Sequence, residues 1–308
     1  MKQQLFGFVL YLMILGSLNA QVPSGIHSYR KHISNPTIGK AHFEIPETKP
    51  KDKVIRHSGY SILYNEAQEQ ASWVAYELTD TETIKLYNRT NKFIVDPMVQ
   101  TGSATQADYK GSGYDRGHLA PAGDMGWSAL AMQESFYYSN MSPQEPGFNR
   151  GIWKNLEEKV RDWAAENKKI YIVTGPVLRN GLPKIGPDHV AVPEYFYKVI
   201  LDYTNPSVKG IAFLMPNHSS TKSLQSYAVS IDVVEKRTGI NFFPGLTNPS
   251  IESSLCIPCW SWEPVKNYRS NSHSNSDSRV QCTGLTKKGN RCKRITADPS
   301  GKCYQHRS

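Results

Sequence analysis

The sequence predicts an α+β domain, a central antiparallel sheet with flanking helices, followed by a small cysteine-rich module. Three observations carry this. Segments rich in β-branched and aromatic residues recur along the chain with hairpin-length connections. Helical periodicities are scattered among them and do not alternate with strands as in regular crossover units. All five cysteines, Cys256, Cys259, Cys282, Cys292 and Cys303, fall in the last fifth of the 308 residues, so the preceding domain must be held by its core and not by disulfides.

Order is expected from Val54. Tyr60 to Asn65 and Ala71 to Leu78 read as two strands of a hairpin, being β-branched and aromatic with polar breaks. Asp96-Pro97 forces the chain out of regular structure, and Gly102 to Gly113 is a polar loop leading to Asp115-Arg116-Gly117-His118. Leu130 to Tyr138 has helical spacing and ends at Ser139-Asn140. Asn149 opens the next helix, in which Ile152, Leu156, Val160 and Trp163 make an apolar stripe. Asn149, Trp153, Glu157 and Arg161 follow at intervals of four, a row that drifts by only about 40° per step, so its polar members can address one place. Lys169 to Pro176, Tyr195 to Leu201 and Lys209 to Met215 read as strands. Leu224 to Thr238 reads as a helix stopped by Gly239.

Hydrophobic residues make up 39% of the chain, enough for a sizeable core. Residues 1–20 predict a secretory leader: Lys2 is followed by an apolar run from Leu5 to Leu18 and by small residues ending at Ala20. An exported, periplasmic or secreted protein with no stable membrane partner after cleavage is therefore expected. Residues 21–53 read as a linker, 54–251 as the main domain, 252–278 as a second linker carrying Cys256-Ile257-Pro258-Cys259, and 279–308 as the basic tail module. The tail holds eight Lys or Arg against one Asp, so +7 of the chain's net +9 lies there. Such a tail favours polyanions, although basic runs are more often simply solvated.

A histidine (His118), amides (Asn140, Asn149), a carboxylate (Glu157) and arginines (Arg116, Arg161) fall within one stretch. Together they match what metal-assisted cleavage of a phosphodiester needs: a base for water, a magnesium anchor and cationic stabilisers. Singly each has a bland reading. An Asn ahead of a helix is usually a cap, and Glu157 with Arg161 would ordinarily be a solvated i,i+4 pair worth a few tenths of a kcal/mol.

The combination is more specific. Asp115-Arg116-Gly117-His118, Asn140-Met141-Ser142-Pro143-Gln144 and the helix carrying Asn149, Glu157 and Arg161 resemble the DNA/RNA non-specific endonuclease family. Trp73-Val74-Ala75-Tyr76, Arg89 ahead of Phe93-Ile94-Val95-Asp96-Pro97, Thr174-Gly175-Pro176 and Thr238-Gly239-Ile240 extend the resemblance from Tyr60 to about Phe243. It implies a ββα-metal site that hydrolyses DNA and RNA to 5′-phosphate ends. His118 would be the general base, Asn149 the direct Mg²⁺ ligand (with Mn²⁺ as a substitute) and Glu157 a ligand through metal-bound water. Arg116 and Arg161 would stabilise the transition state, Arg89 would bind phosphate, and Asn140 would orient the site. DNA and RNA are the implied partners, and a homodimer is left open. A phosphodiesterase acting on nucleotides, or a catalytically silent nucleic-acid-binding protein, are the alternative readings.

In the tail, Cys282, Cys292, Cys303 and His306 could hold a structural Zn²⁺, since so short and apolar-poor a segment needs a staple. The competing reading is a disulfide with one thiol left over. Cys256 and Cys259 are open between a metal knuckle, a disulfide and a redox pair.

Overall fold

The computed structural model describes residues 42–263 except 205 and 207, and in the tail residues 280–286, 289–293, 295–296, 300, 302 and 306. The expected leader, most of the first linker, residues 264–278 and Cys303 lie outside the described residues. Strands β1 (Val54–Arg56), β2 (Ser61–Asn65) and β3 (Gln70–Thr79) form a meander. The chain then leaves the sheet for a long excursion through α1 (Gln106–Tyr109), β4 (Asp115–His118), α2 (Ala129–Glu134) and β5 (Met141–Gln144). A turn of helix, α3 (Pro146–Phe148), runs through a π turn at Asn149–Trp153 into α4 (Lys154–Asn167). The chain rejoins the sheet as β6 (Lys169–Pro176). It makes a small hairpin, β7 (Lys184–Ile185) and β8 (Val190–Ala191), and continues through β9 (Tyr195–Asp202), β10 (Lys209–Pro216), β11 (Ala228–Val229), α5 (Ile231–Thr238) and α6 (Ser250–Ser253).

The sheet has the order β1-β2-β3-β6-β9-β10-β11, and each pairing is antiparallel. Side chains alternate across it, and both faces are buried. Val74, Tyr76, Leu78, Ile172, Phe196, Ile200 and Phe213 meet Leu156, Val160 and Trp163 of α4. Trp73, Ala75, Val173, Val199 and Ala212 meet Ile231 and Val234 of α5 with Phe242 and Phe243, and Phe43 and Ile45 pack onto that cluster. This explains why the central strands read as nearly continuous apolar runs. Beyond α6, Trp260 and Trp262 close over Trp163, with ring centroids 4.7 Å and 5.3 Å away, and the Trp163 indole N–H donates to the Ser261 carbonyl at 2.6 Å. Cys256 and Cys259, between α6 and these tryptophans, are joined as a disulfide.

The α+β architecture predicted from the strand pattern is present. Two expected helices are shorter than their spacing predicts. Residues 224–238 hold a 3₁₀ turn at Leu224–Tyr227, then β11, and only then α5, because Ala228 and Val229 pair with Phe213 and Ala212 at the sheet edge. Pairing to an open edge wins over continued i,i+4 contact there. Helix α2 stops at Glu134, and Phe136 turns inward to bury fully beside His118. The polar loop from Gly102 contains α1, capped by Thr105 and Asp108 in a reciprocal capping box.

Trp163→Ala should lower stability by about 3–5 kcal/mol, because it empties the junction between α4, β10 and the Trp260–Trp262 segment. Urea denaturation followed by tryptophan fluorescence measures this. An unchanged midpoint would mean that the segment is not part of the core.

Candidate active site

The excursion between β3 and β6 places the chemistry-bearing residues against one face of the sheet. Strands β4 and β5 pair antiparallel with His118 opposite Met141, Gly117 opposite Ser142 and Asp115 opposite Gln144. This hairpin is pinned to the rest of the fold at two points. The Ser142 hydroxyl donates to Gln70 Oε1 on β3 at 2.6 Å, and Asn217, just past β10, donates to the Pro143 carbonyl at 3.0 Å while accepting from the Glu145 amide at 2.9 Å. Gly117 is required by crowding: a Cβ there would run into the Gln144 side chain, which is itself fully buried.

Arg116 and His118 are two residues apart on a strand and so share a face. His118 is 7% exposed, and its ring lies edge-on to Phe136 at 4.9 Å and near Phe93 at 5.8 Å. The Arg116 guanidinium stacks over Phe93 at 4.0 Å, and Arg89 lies over Phe136 at 4.9 Å. Two cations therefore bracket the two rings that hold the histidine. Burial, followed by the charges of Arg89 and Arg116, pushes the imidazole down to about 3, so it is neutral at physiological pH. Its Nε2 is enclosed and has no hydrogen-bond partner among the described residues.

Asn149 lies at the head of the π turn, where Gly151 breaks helical geometry with φ −105° and ψ −113°. The row of four-residue intervals is therefore regular only from Lys154 onward, and Asn149 is placed by the turn and by a side-chain contact. Its amide nitrogen donates to Asp115 Oδ2 at 2.9 Å, which leaves Oδ1 as its available oxygen. Asp115 also takes a two-pronged contact from Arg150, with Nε to Oδ2 at 2.8 Å and Nη2 to Oδ1 at 2.5 Å. Burial opposes ionisation of this carboxyl, but Arg150 and Asn149 outweigh it and hold it below its ordinary range.

Glu157 sits in the first turn of α4 and Arg161 one turn later. Arg161 Nη1 donates to Asp124 Oδ1 at 2.7 Å, and the Tyr76 hydroxyl from β3 donates to Asp124 Oδ2 at 2.8 Å. Gly123 makes room for this contact, since a Cβ there would lie 2.8 Å from Arg161 Nη1. Lys198 of β9 is fully buried, its ammonium 4.9 Å over the Trp153 ring and without a hydrogen-bond partner among the described residues. Burial lowers Lys198 to about 8 against the pull of Glu157 and Asp124. Burial also raises Glu157, to about 7, against Lys198 and Arg161.

Of the residues expected from sequence, Arg89, Arg116, His118, Asn149, Glu157 and Arg161 are brought together. An open groove of about 460 Å³ is lined by Arg89, Phe93, Lys110, Arg116, Asp115 and Asn149, among others. Glu157 is within electrostatic reach of Arg89 and Arg161. Asn140 is set apart from the groove. It is fully buried, with Nδ2 donating to the Ala120 and Ser135 carbonyls at 2.9 Å and 2.8 Å and Oδ1 accepting from the Ala120 amide at 2.9 Å. It fixes the loop that leaves His118. Sequence reading missed Asp124, Tyr76 and Lys198. The signal for Lys198 was a lone charge inside the apolar strand Tyr195–Asp202, a pattern that buried strands accept only when an opposite charge faces it.

Asn149 Oδ1 and the Glu157 carboxylate are hard oxygen donors, with no sulfur among the groove-lining residues. This set fits Mg²⁺ or Mn²⁺ and does not favour a thiophilic metal.

A profile of the DNA/RNA non-specific endonucleases matches residues 39–248. The chain belongs to this family. It is 34% identical over 231 residues to the mitochondrial nuclease EXOG of Danio rerio, a match covering 70% of this chain and 66% of that protein, under two thirds of its length. It is 39% identical over 224 residues to nuclease C1 of Cunninghamella echinulata var. echinulata, covering 66% of this chain and 86% of the fungal protein. The crystal structure of the EndoG/EndoGI complex superposes with a TM-score of 0.61 at 32% identity, over 65% of this chain and 89% of that one.

The comparisons correct the expected localisation. The vertebrate relatives are named as mitochondrial nucleases, which overturns the expectation of an exported, periplasmic or secreted protein. An apolar run behind one lysine does not distinguish leader classes by itself. The sequence has no acidic residue before Glu44, a trait that mitochondrial leaders share.

Two outcomes follow from the site's packing. Gly117→Ala should cost about 1–3 kcal/mol through overpacking against Gln144, read as a lowered denaturant midpoint. His118, neutral when folded, binds fewer protons than the unfolded chain between about 3 and its ordinary value of 6.5, so it makes stability fall as pH drops through that window. The loss approaches about 1.4 kcal/mol per pH unit. His118→Gln measured in chelator should therefore lose less stability than the parent between pH 7 and pH 4, and an identical loss would show that the histidine is not held neutral.

Proposed function

We propose that the protein is a metal-dependent, sugar-non-specific endonuclease that hydrolyses DNA and RNA to 5′-phosphate ends, with His118 as general base. The observation that carries this is the neutral imidazole held between Phe93 and Phe136 with Arg89 and Arg116 over those rings, on the hairpin that leads into the π turn carrying Asn149 and the helix carrying Glu157. A base must be unprotonated before it can accept a proton from water, and desolvation provides that. With Nε2 enclosed, Nδ1 is the ring atom left to take the proton. A phosphate seated between the two guanidiniums offsets the charges that depress His118, so its basicity rises when substrate is bound.

Asn149 Oδ1 and, through water, Glu157 would hold Mg²⁺, or Mn²⁺ in its place, which would supply positive charge to the scissile phosphodiester. Arg161, braced by Asp124, adds positive charge where the phosphorus becomes five-coordinate. Arg89 and Lys110 line the groove as phosphate contacts, which carry no base identity, so weak sequence preference is expected.

The deciding experiment is digestion of circular plasmid DNA and single-stranded RNA with Mg²⁺ or with a chelator, beside His118→Ala. Both polymers should be cut, with chelator abolishing the reaction and the variant slower by about 10²–10⁴-fold while still binding nucleic acid. Cleavage unaffected by the substitution would remove His118 from the mechanism. Arg116→Ala should lower kcat more than it raises KM, since its charge acts mainly in the transition state; the reverse split would make it a binding residue only.

A further inference from the structure

The tail carries a second cluster of metal-ligating side chains, unrelated to the proposed cleavage chemistry. Cys282 and Cys292 are both buried, and their sulfurs and a His306 ring nitrogen lie within 4.8 Å of one another. Cys282 Sγ is 3.3 Å from His306 Nδ1. Around a tetrahedral zinc, bonds of about 2.3 Å to sulfur and 2.0 Å to nitrogen set neighbouring ligand atoms roughly 3.5–3.8 Å apart, so small adjustments suffice to close on an ion.

The local backbone is built to bring these atoms together. Strands β12 (Val280–Gln281) and β13 (Ile295–Thr296) pair antiparallel, and an isolated bridge links Leu285 with Arg291. Between them the chain reverses tightly, with the Thr286 amide donating to the Asn290 carbonyl at 2.7 Å and Gly289 at φ 78°. The Cys292 amide donates to the Gly284 carbonyl at 2.9 Å, which sets Cys292 across from Cys282. The Gly284 amide points at Cys282 Sγ at 3.4 Å, the kind of outer contact that favours a thiolate. Gly284 also lacks the Cβ that would occupy the place of the His306 ring. A simple disulfide requires neither an imidazole at the sulfur nor a cleared space to receive it.

Stability makes the same demand. Among the described tail residues, the buried cluster consists of the two cysteines themselves. The described residues of the tail show no apolar core beyond this pair to offset chain entropy, and a metal is one of the few substitutes available.

We infer that Cys282, Cys292 and His306 form a structural zinc site that folds the basic tail. Two buried thiolates and an imidazole are the donors that structural zinc sites use.

The test is metal analysis of the full-length protein, purified under reducing conditions without chelator and desalted exhaustively. About one tightly held zinc per chain is expected, falling to roughly a tenth of that in Cys292→Ser and in His306→Ala. Gly284→Ala should lower zinc retention while leaving all ligands in place. The double variant Cys256→Ser with Cys259→Ser should keep its zinc. Because ligand variants could unfold the tail, Co²⁺ exchange into the unmodified chain gives an independent reading: intense thiolate-to-cobalt absorption supports the site. A metal-free chain with a Cys282–Cys292 disulfide in non-reducing peptide maps would overturn the inference, as would zinc that persists in Cys292→Ser.

Discussion

Four charged groups on α4, β9 and the loop after β4 constrain the rest of the molecule. Asp124 and Lys198 are buried and Arg161 and Glu157 half-buried, so two acidic and two basic groups share one region. Such a group is tolerated only when balanced, because removing one member leaves an uncompensated charge at a cost of several kcal/mol. The balance ties together elements far apart in sequence: the loop after β4 contributes Asp124, helix α4 contributes Glu157 and Arg161, β9 contributes Lys198, and β3 contributes the Tyr76 hydroxyl that takes the second Asp124 oxygen. The site cannot slide relative to the sheet without breaking this arrangement.

The same economy of water governs His118. A solvated histidine would divide its time between protonated and neutral forms near pH 6.5. Here aromatic walls desolvate it and two guanidiniums repel its proton, so it stays neutral without a carboxylate partner. The arginines that enforce this are the ones best placed to meet a phosphate. Under the proposed function, substrate binding and activation of His118 would be linked by Coulomb's law.

Much of this was legible in sequence where the determinant is local. The β-branched and aromatic content of Ala71 to Leu78 marked a strand, and the fold then buries Trp73 and Ala75 on one face and Val74, Tyr76 and Leu78 on the other. The spacing of Leu156, Val160 and Trp163 specified the face of α4. What escaped depends on partners distant along the chain. Asp124 sits between Gly123 and Met125 in a loop with no periodicity, and only the folded position of Arg161 gives it meaning. Asn149 falls on a row of four-residue intervals that Gly151 then breaks, so its placement follows from Asp115, not from helical repeat. The helix expected over 224–238 failed because a free strand edge is invisible to a count of i,i+4 contacts.

Charge is distributed so that binding and chemistry use different fields. Outside the tail the chain from Gln21 to Ser278 is close to neutral, at +1. In the groove, Arg89, Lys110 and Arg116 stand beside a carboxylate already matched by Arg150. Long-range attraction resides instead in the tail, at +7, and falls off within about 10 Å at ordinary ionic strength. Salt should therefore weaken capture by the tail, and the exposed Arg89 and Lys110 of the groove are open to the same screening.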